Sequence, residues 1–153
     1  MEEYIAYTDG SYQSSINAGG WSSIILDTNY NIIKKLYMGM KNTTNNRQEL
    51  YAVINTLEYF SSPVKLTIYS DSQYIINSIK TRSCYKWFEN QEYDKKNLDL
   101  WYKLIDLLEF HNVTFIWVKG HNEDKYNELA DMLAVHAAQC LNIKEDVYNT
   151  IKI

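Results

Sequence analysis

A chain of 153 residues, 46% hydrophobic and 22% charged, has the size and make-up of one globular domain with a sizeable core. Its formal net charge of -4 argues against a simple basic nucleic-acid binder, unless bound cations offset part of the acidic excess. No stretch approaches a membrane span, the acidic start is unlike a secretory leader, and Cys84 and Cys140 lack metal-ligand spacing. These features lead us to expect a cytoplasmic protein in a reducing compartment.

Residues 4–8 form a short apolar and aromatic run, the pattern of a central strand ending at Asp9. Residues 19–26 and 31–40 are strand-like, and Asp27-Thr28-Asn29 between them has turn composition, so a hairpin is predicted. Leu50, Val53, Ile54 and Leu57 keep the i, i+3, i+4, i+7 spacing of an amphipathic helix, with Thr44 or Asn45 as its cap and Ser61-Ser62-Pro63 as its stop. Residues 64–69 read as a buried strand that closes at Asp71 and leads into a helix up to Lys80. The stretch 81–97 mixes polar, charged and aromatic residues without a clear period. Residues 98–110 are helical by pattern, 113–118 a fifth strand, and 126–140 a final helix with Leu129, Leu133 and Ala137 on one face. The order β-β-β-α-β-α-α-β-α predicts an α/β fold: a five-stranded mixed sheet, first an antiparallel meander and then crossover strands, with helices on both faces. One domain covers residues 1–153, its core about 4–139 and a short tail 140–153.

Four carboxylates stand out against this framework. Asp9 and Asp71 close strand-like runs, while Glu49 and Asp131 fall in helical segments. Burying an unpaired carboxylate is costly, but several converging on hard divalent cations are well accounted for. Hydrolysis of a phosphodiester by two metal ions about 4 Å apart needs such a ligand set. With Asp9 as the bridging ligand, like charges would raise one another's pKa in the metal-free site. His121, in the loop after Lys119-Gly120, adds a group that titrates near neutrality, and Lys119 can meet a phosphate.

Read together, Tyr7-Thr8-Asp9-Gly10-Ser11, Thr44-Asn45-Asn46-Arg47-Gln48-Glu49-Leu50, Ser70-Asp71-Ser72-Gln73-Tyr74 and Trp117-Val118-Lys119-Gly120-His121, followed by Asn127-Glu128 and Asp131, resemble the motifs of type 1 ribonuclease H. The similarity runs in order over residues 4–139, and 98–101 resembles the opening of the family's fourth helix. The resemblance implies that Asp9, Glu49, Asp71 and Asp131 are catalytic metal ligands and that His121 is the catalytic-loop histidine. It implies two magnesium ions, with manganese a possible substitute, and cleavage of the RNA strand of RNA–DNA hybrids to 5′-phosphate and 3′-hydroxyl ends. Asn45, Asn46 and Gln73 match positions that read the hybrid's minor groove, which suits amides facing 2′-hydroxyls. Thr44 matches a DNA-phosphate contact, Ser11 and Lys119 belong to the substrate-binding set, and Asn127 matches a loop position near the metals. A monomer acting on nucleic acid, with no membrane association, is expected.

Three departures from the family pattern stand out. Ser15 replaces a substrate-contacting asparagine, and Asn42 replaces an arginine that partners the phosphate-binding threonine, with Lys41 beside it. The basic protrusion is short, with Lys80, Arg82, Lys86, Lys95 and Lys96 against Glu89, Glu92 and Asp94, so affinity should be modest and steeply salt-dependent. Tyr85, Trp87 and Phe88 there suit packing ahead of base stacking.

Taken singly, each site residue has a plainer reading: Asp71 as a helix cap, Glu49 and Asp131 as solvated helix residues, Asn45 and Asn46 as caps, His121 as a surface histidine. His111 and His136 have no catalytic context and read as structural or solvated. Two rival functions remain on the sequence, a DNA-cutting resolvase or transposase core and a non-catalytic hybrid-binding domain. The amides argue against the first and the four retained carboxylates against the second.

Overall fold

The computed structural model describes residues 1–82, 97–120, 124–140 and 144–146. The first strand, β1 (Glu3–Gln13), is flanked on both sides, antiparallel by β2 (Ala18–Leu26) and parallel by β4 (Lys65–Ser70). Continuous burial along β2 follows from its central place between two helical layers. β3 (Ile32–Lys41) completes the meander. Its hairpin with β2 turns where Asp27 Oδ1 accepts from the N–H groups of Asn29 and Asn31, each at 2.9 Å. β5 (Asn112–Trp117) extends the parallel side, and β6 (Lys144–Glu145) adds two residues parallel to β3, giving the order β5-β4-β1-β2-β3-β6.

The mixed sheet is the predicted one, with six strands where five were expected. The extra strand arises in the segment read as a tail, and a pair of residues carries no period by which to recognise it.

Alternation along the strands sorts the core into two layers. Ala6, Ile25, Leu66 and Ile68 face one side and pack with α1 (Asn45–Glu58), α2 (Gln73–Lys80) and α3 (Leu98–Phe110). Tyr7, Ile24 and Leu26 face the other and meet α4 (Lys125–Ala138) through Ala130, Leu129 and Leu133. The apolar stripe of α1 predicted from spacing is buried throughout, and Thr44 is its cap, accepting from the Arg47 N–H at 3.2 Å. His111 is structural: its ring accepts from the Val64 N–H and bonds to the Leu57 carbonyl.

One polar knot ties the start of α1 to the rest. Arg47, fully buried, bonds both carboxylate oxygens of Asp99 at 2.9 Å and both of Asp146 at 2.9 and 3.1 Å. Asp146 also accepts from Thr43 Oγ1 and the Tyr51 hydroxyl. Every charge in the knot has a geometrically matched partner, which a buried ion pair requires. The aromatic and basic stretch from Cys84 to Lys96, including Tyr85, Lys86, Trp87 and Phe88, lies outside the described residues, as does His121. No helix among the described residues is long and apolar enough to cross a membrane.

Candidate active site

β1 and β4 pair in parallel as far as Thr8 and Ser70, and there the two strands part. Asp9 and Asp71 are the next residue on each, at the carboxyl end of a parallel pair where α/β sheets commonly receive ligands. β1 itself runs on to Gln13, because β2 continues to pair with it, so Asp9 lies within the strand and not at its close as its apolar run suggested. The cap of α2 is Ser72, whose Oγ accepts from the Ile75 N–H at 3.3 Å, so the capping role considered for Asp71 is already filled.

Glu49 arrives from the second turn of α1, and Gly10 permits it. A Cβ at position 10 would stand 2.3 Å from the Glu49 backbone nitrogen, so only a residue without a side chain lets the helix lie this close to β1. The Gly10 N–H donates to Asp9 Oδ1 at 3.0 Å and also to Glu49 Oε1. On the opposite layer, Gly20 plays the same part for α4, since a Cβ there would stand 2.1 Å from the Ala134 carbonyl oxygen. That close packing brings Asp131 to the lining of the same cleft.

Asp9, Glu49 and Asp71 each offer a carboxylate oxygen, and these oxygens all lie within 4.8 Å of one another. The cleft, about 600 Å³, is edged by Asn45 and Asn46 of α1, Gln73 of α2, and Lys119. It is also lined by Gly10, Ser72, Tyr74, Trp117 and Gly120, to which the sequence reading gave no role of their own. Of these, Trp117 had the best available signal, standing in the same short motif as Lys119. Ser11, two residues past Asp9, is half-buried, and Thr44 caps α1, whereas Asn127 is buried in the first turn of α4, its N–H donating to Asp124 Oδ1 at 3.2 Å. None of these three is among the described residues lining the cleft.

The electrostatics are unbalanced. Asp9 is only 4% exposed, and burial, then the charges of Glu49 and Asp71, hold its carboxyl far above the usual range. Burial and the Asp71 charge push Glu49 up to about 8, although bonds from Asp9, the Gly10 N–H and Ser72 pull the other way. Asp9 Oδ2 is buried with no hydrogen-bond partner among the described residues. An acceptor-only oxygen donor set, mutually repelling and with one orphaned lone-pair atom, fits a hard divalent cation. The N-terminal ends of α1 and α2 border the cleft and add positive dipole ends where an anion would sit.

Comparison with known proteins agrees with this arrangement. The RNase H family profile matches residues 1–139. A ribonuclease H of Caldicellulosiruptor saccharolyticus is 41% identical over 140 residues, covering 88% of this chain and 94% of that protein. One of Desulforamulus reducens is 40% identical over 152 residues, covering 96% and 94%. The crystal structure of LC9-RNase H1, a type 1 RNase H with the type 2 active-site motif, superposes with a TM-score of 0.81 at 26% identity, covering 91% of this chain and 73% of that one. Sequence likeness over nearly the whole length, on a shared sheet that gathers its carboxylates at one strand end, makes this chain a member of the ribonuclease H family.

Proposed function

We propose that the protein is an endonuclease hydrolysing the RNA strand of RNA–DNA hybrids, using two magnesium ions for which manganese can substitute. The observation that carries this reading is the trio Asp9, Glu49 and Asp71, gathered around an unpartnered buried oxygen and edged by three amides. The family is metal-dependent, and bound divalent cations supply activation of the attacking water and stabilisation of the departing 3′-oxygen. Asp9, Glu49 and Asp71 would hold the ions, with Asp9 contributing to both, and Asp131 would serve the side of the attacking water.

Asn45, Asn46 and Gln73 exchange hydrogen bonds with 2′-hydroxyls and base edges in the wide minor groove, which is how RNA is told from DNA. Lys119 meets a phosphate of the cut strand, Thr44 one of the DNA strand, and Ser11 contributes beside Asp9. Asn127 steadies the helix end that presents Asp131. His121 moves a proton or helps product leave, the products carrying 5′-phosphate and 3′-hydroxyl ends. The same reading has the protein working as a monomer in the cytoplasm.

Incubating the protein and magnesium with a hybrid, duplex DNA and duplex RNA of one sequence tests it. Cleavage confined to the RNA strand of the hybrid is expected. Cutting of duplex DNA would favour a resolvase-like enzyme, and hybrid binding without cutting a scaffold; either overturns the proposal.

A further inference from the structure

Beside the acidic cleft lies a second cavity of about 290 Å³, lined by Gln73, Ile76, Asn77, Lys80 and Trp117. Gln73 and Trp117 line both cavities, so the two are neighbours with a shared wall. Trp117 ends β5, the edge strand of the sheet, and is 45% exposed. Exposed indole of this extent is unusual for a residue that could have been buried. Ile76 supplies an apolar neighbour, Asn77 and Gln73 amide groups, and Lys80 a cation, while no acidic residue lines this cavity among the described residues. In a chain of net charge -4, an acid-free pocket with a lysine in its lining is electrostatically suited to an anionic group.

We propose that this cavity is a subsite for one unpaired nucleotide of the cut strand, its base stacked on Trp117 and its phosphate paired with Lys80. Aromatic faces flanked by cations and amides hold single-stranded bases without strong sequence preference. The occupant is assigned to the RNA strand, because the cavity shares Gln73 and Trp117 with the cleft whose carboxylates would cut that strand. A paired base is already stacked within the duplex, so the subsite rewards hybrids whose RNA continues past the last base pair. The inference rests on the hybrid-cleaving function proposed above and adds a preference for junction substrates.

The test compares a blunt hybrid with hybrids bearing a 5′ or a 3′ single-stranded RNA extension. One extension should lower KM at least about fivefold relative to the blunt substrate, and the advantage should shrink with added salt. Whatever their basal rates, Trp117→Ala should bring the blunt-to-extended KM ratio to one, Trp117→Phe should retain most of it, and Lys80→Gln should reduce it and its salt dependence. Thermal melting of each variant guards against a folding defect, and Lys80→Gln, at an exposed site, keeps the test decisive if Trp117→Ala does not fold. An equal KM for all three substrates in the wild type, or an advantage that survives both Trp117→Ala and Lys80→Gln, overturns the subsite while leaving hybrid cleavage intact. Failure to cut even the blunt hybrid overturns the parent reading, and this inference with it.

Discussion

Arg47 and Glu49 stand two residues apart on α1, both buried, in opposite electrostatic circumstances. Around Arg47, two aspartates supply four matched hydrogen bonds, and Thr43 and Tyr51 take up the remaining oxygen capacity of one of them. Burial would weaken the guanidinium's hold on its proton, and its bonds to Asp99 and Asp146 more than offset that. Around Glu49 the neighbours are acids, and an oxygen of Asp9 is left without a partner among the described residues. A buried charge with its partners in place holds the fold; a buried charge lacking them is held ready for a ligand. The first knot fixes the helix end so that the second cluster keeps its geometry.

The largest effect should come from the acidic side. Asp9→Asn or Asp71→Asn should lower hybrid cleavage by about a thousandfold or more, since several kcal/mol of metal-borne stabilisation would go. The fold should persist, and metal-free Asp9→Asn should melt above the wild type near neutral pH, because the wild type must take up a proton at Asp9 to fold and the variant need not. Steady-state cleavage and melting in chelator measure both.

On the balanced side, Arg47→Ala should cost about 3–5 kcal/mol in denaturant unfolding, because it leaves Asp99 and Asp146 buried without their cation. Activity at low temperature should fall far less than stability.

The pH dependence sharpens the contrast. Asp9 and Glu49 hold protons in the folded, metal-free state at pH values where the unfolded chain has released them. The native state then binds more protons, so stability falls as pH rises, starting above the ordinary carboxylate range and continuing through about 8 for Glu49. Chelated protein should accordingly be more stable at pH 5 than at pH 8, with a shallower slope in Asp9→Asn. Saturating magnesium should flatten the slope in the wild type, since ligation needs the deprotonated forms.

Smaller still, Gly10→Ala should cost about 1–3 kcal/mol by forcing α1 away from β1, and should lower activity as Glu49 moves off. Thr44→Ala removes only the cap of α1, about 1 kcal/mol, readable as a shift in the denaturation midpoint.

Much of this was legible in the chain because the signals are local. Short apolar runs marked the strands, the spacing of Leu50, Val53, Ile54 and Leu57 marked α1, and each carboxylate sat in a short recognisable motif. Contacts between distant residues left no such trace. Arg47 and Asp146 are 99 positions apart, and nothing in the two-residue strand before Asp146 announces that the aspartate is buried. The continuation of β1 past Asp9 was hidden for a related reason, since pairing with β2 sustains it through the polar residues Ser11 to Gln13. Trp117 was visible in its motif, but its exposure depends on β5 lying at the sheet edge, which only the topology reveals.

The central claim is that Asp9, Glu49 and Asp71 form a ligand set for divalent cations. Calorimetric titration of the protein with magnesium, in two buffers of different ionisation enthalpy at pH 7, tests it most directly. The account predicts saturable binding with proton release in the wild type, and loss of both in Asp9→Asn. Binding without proton release, or binding unchanged in Asp9→Asn, would contradict it.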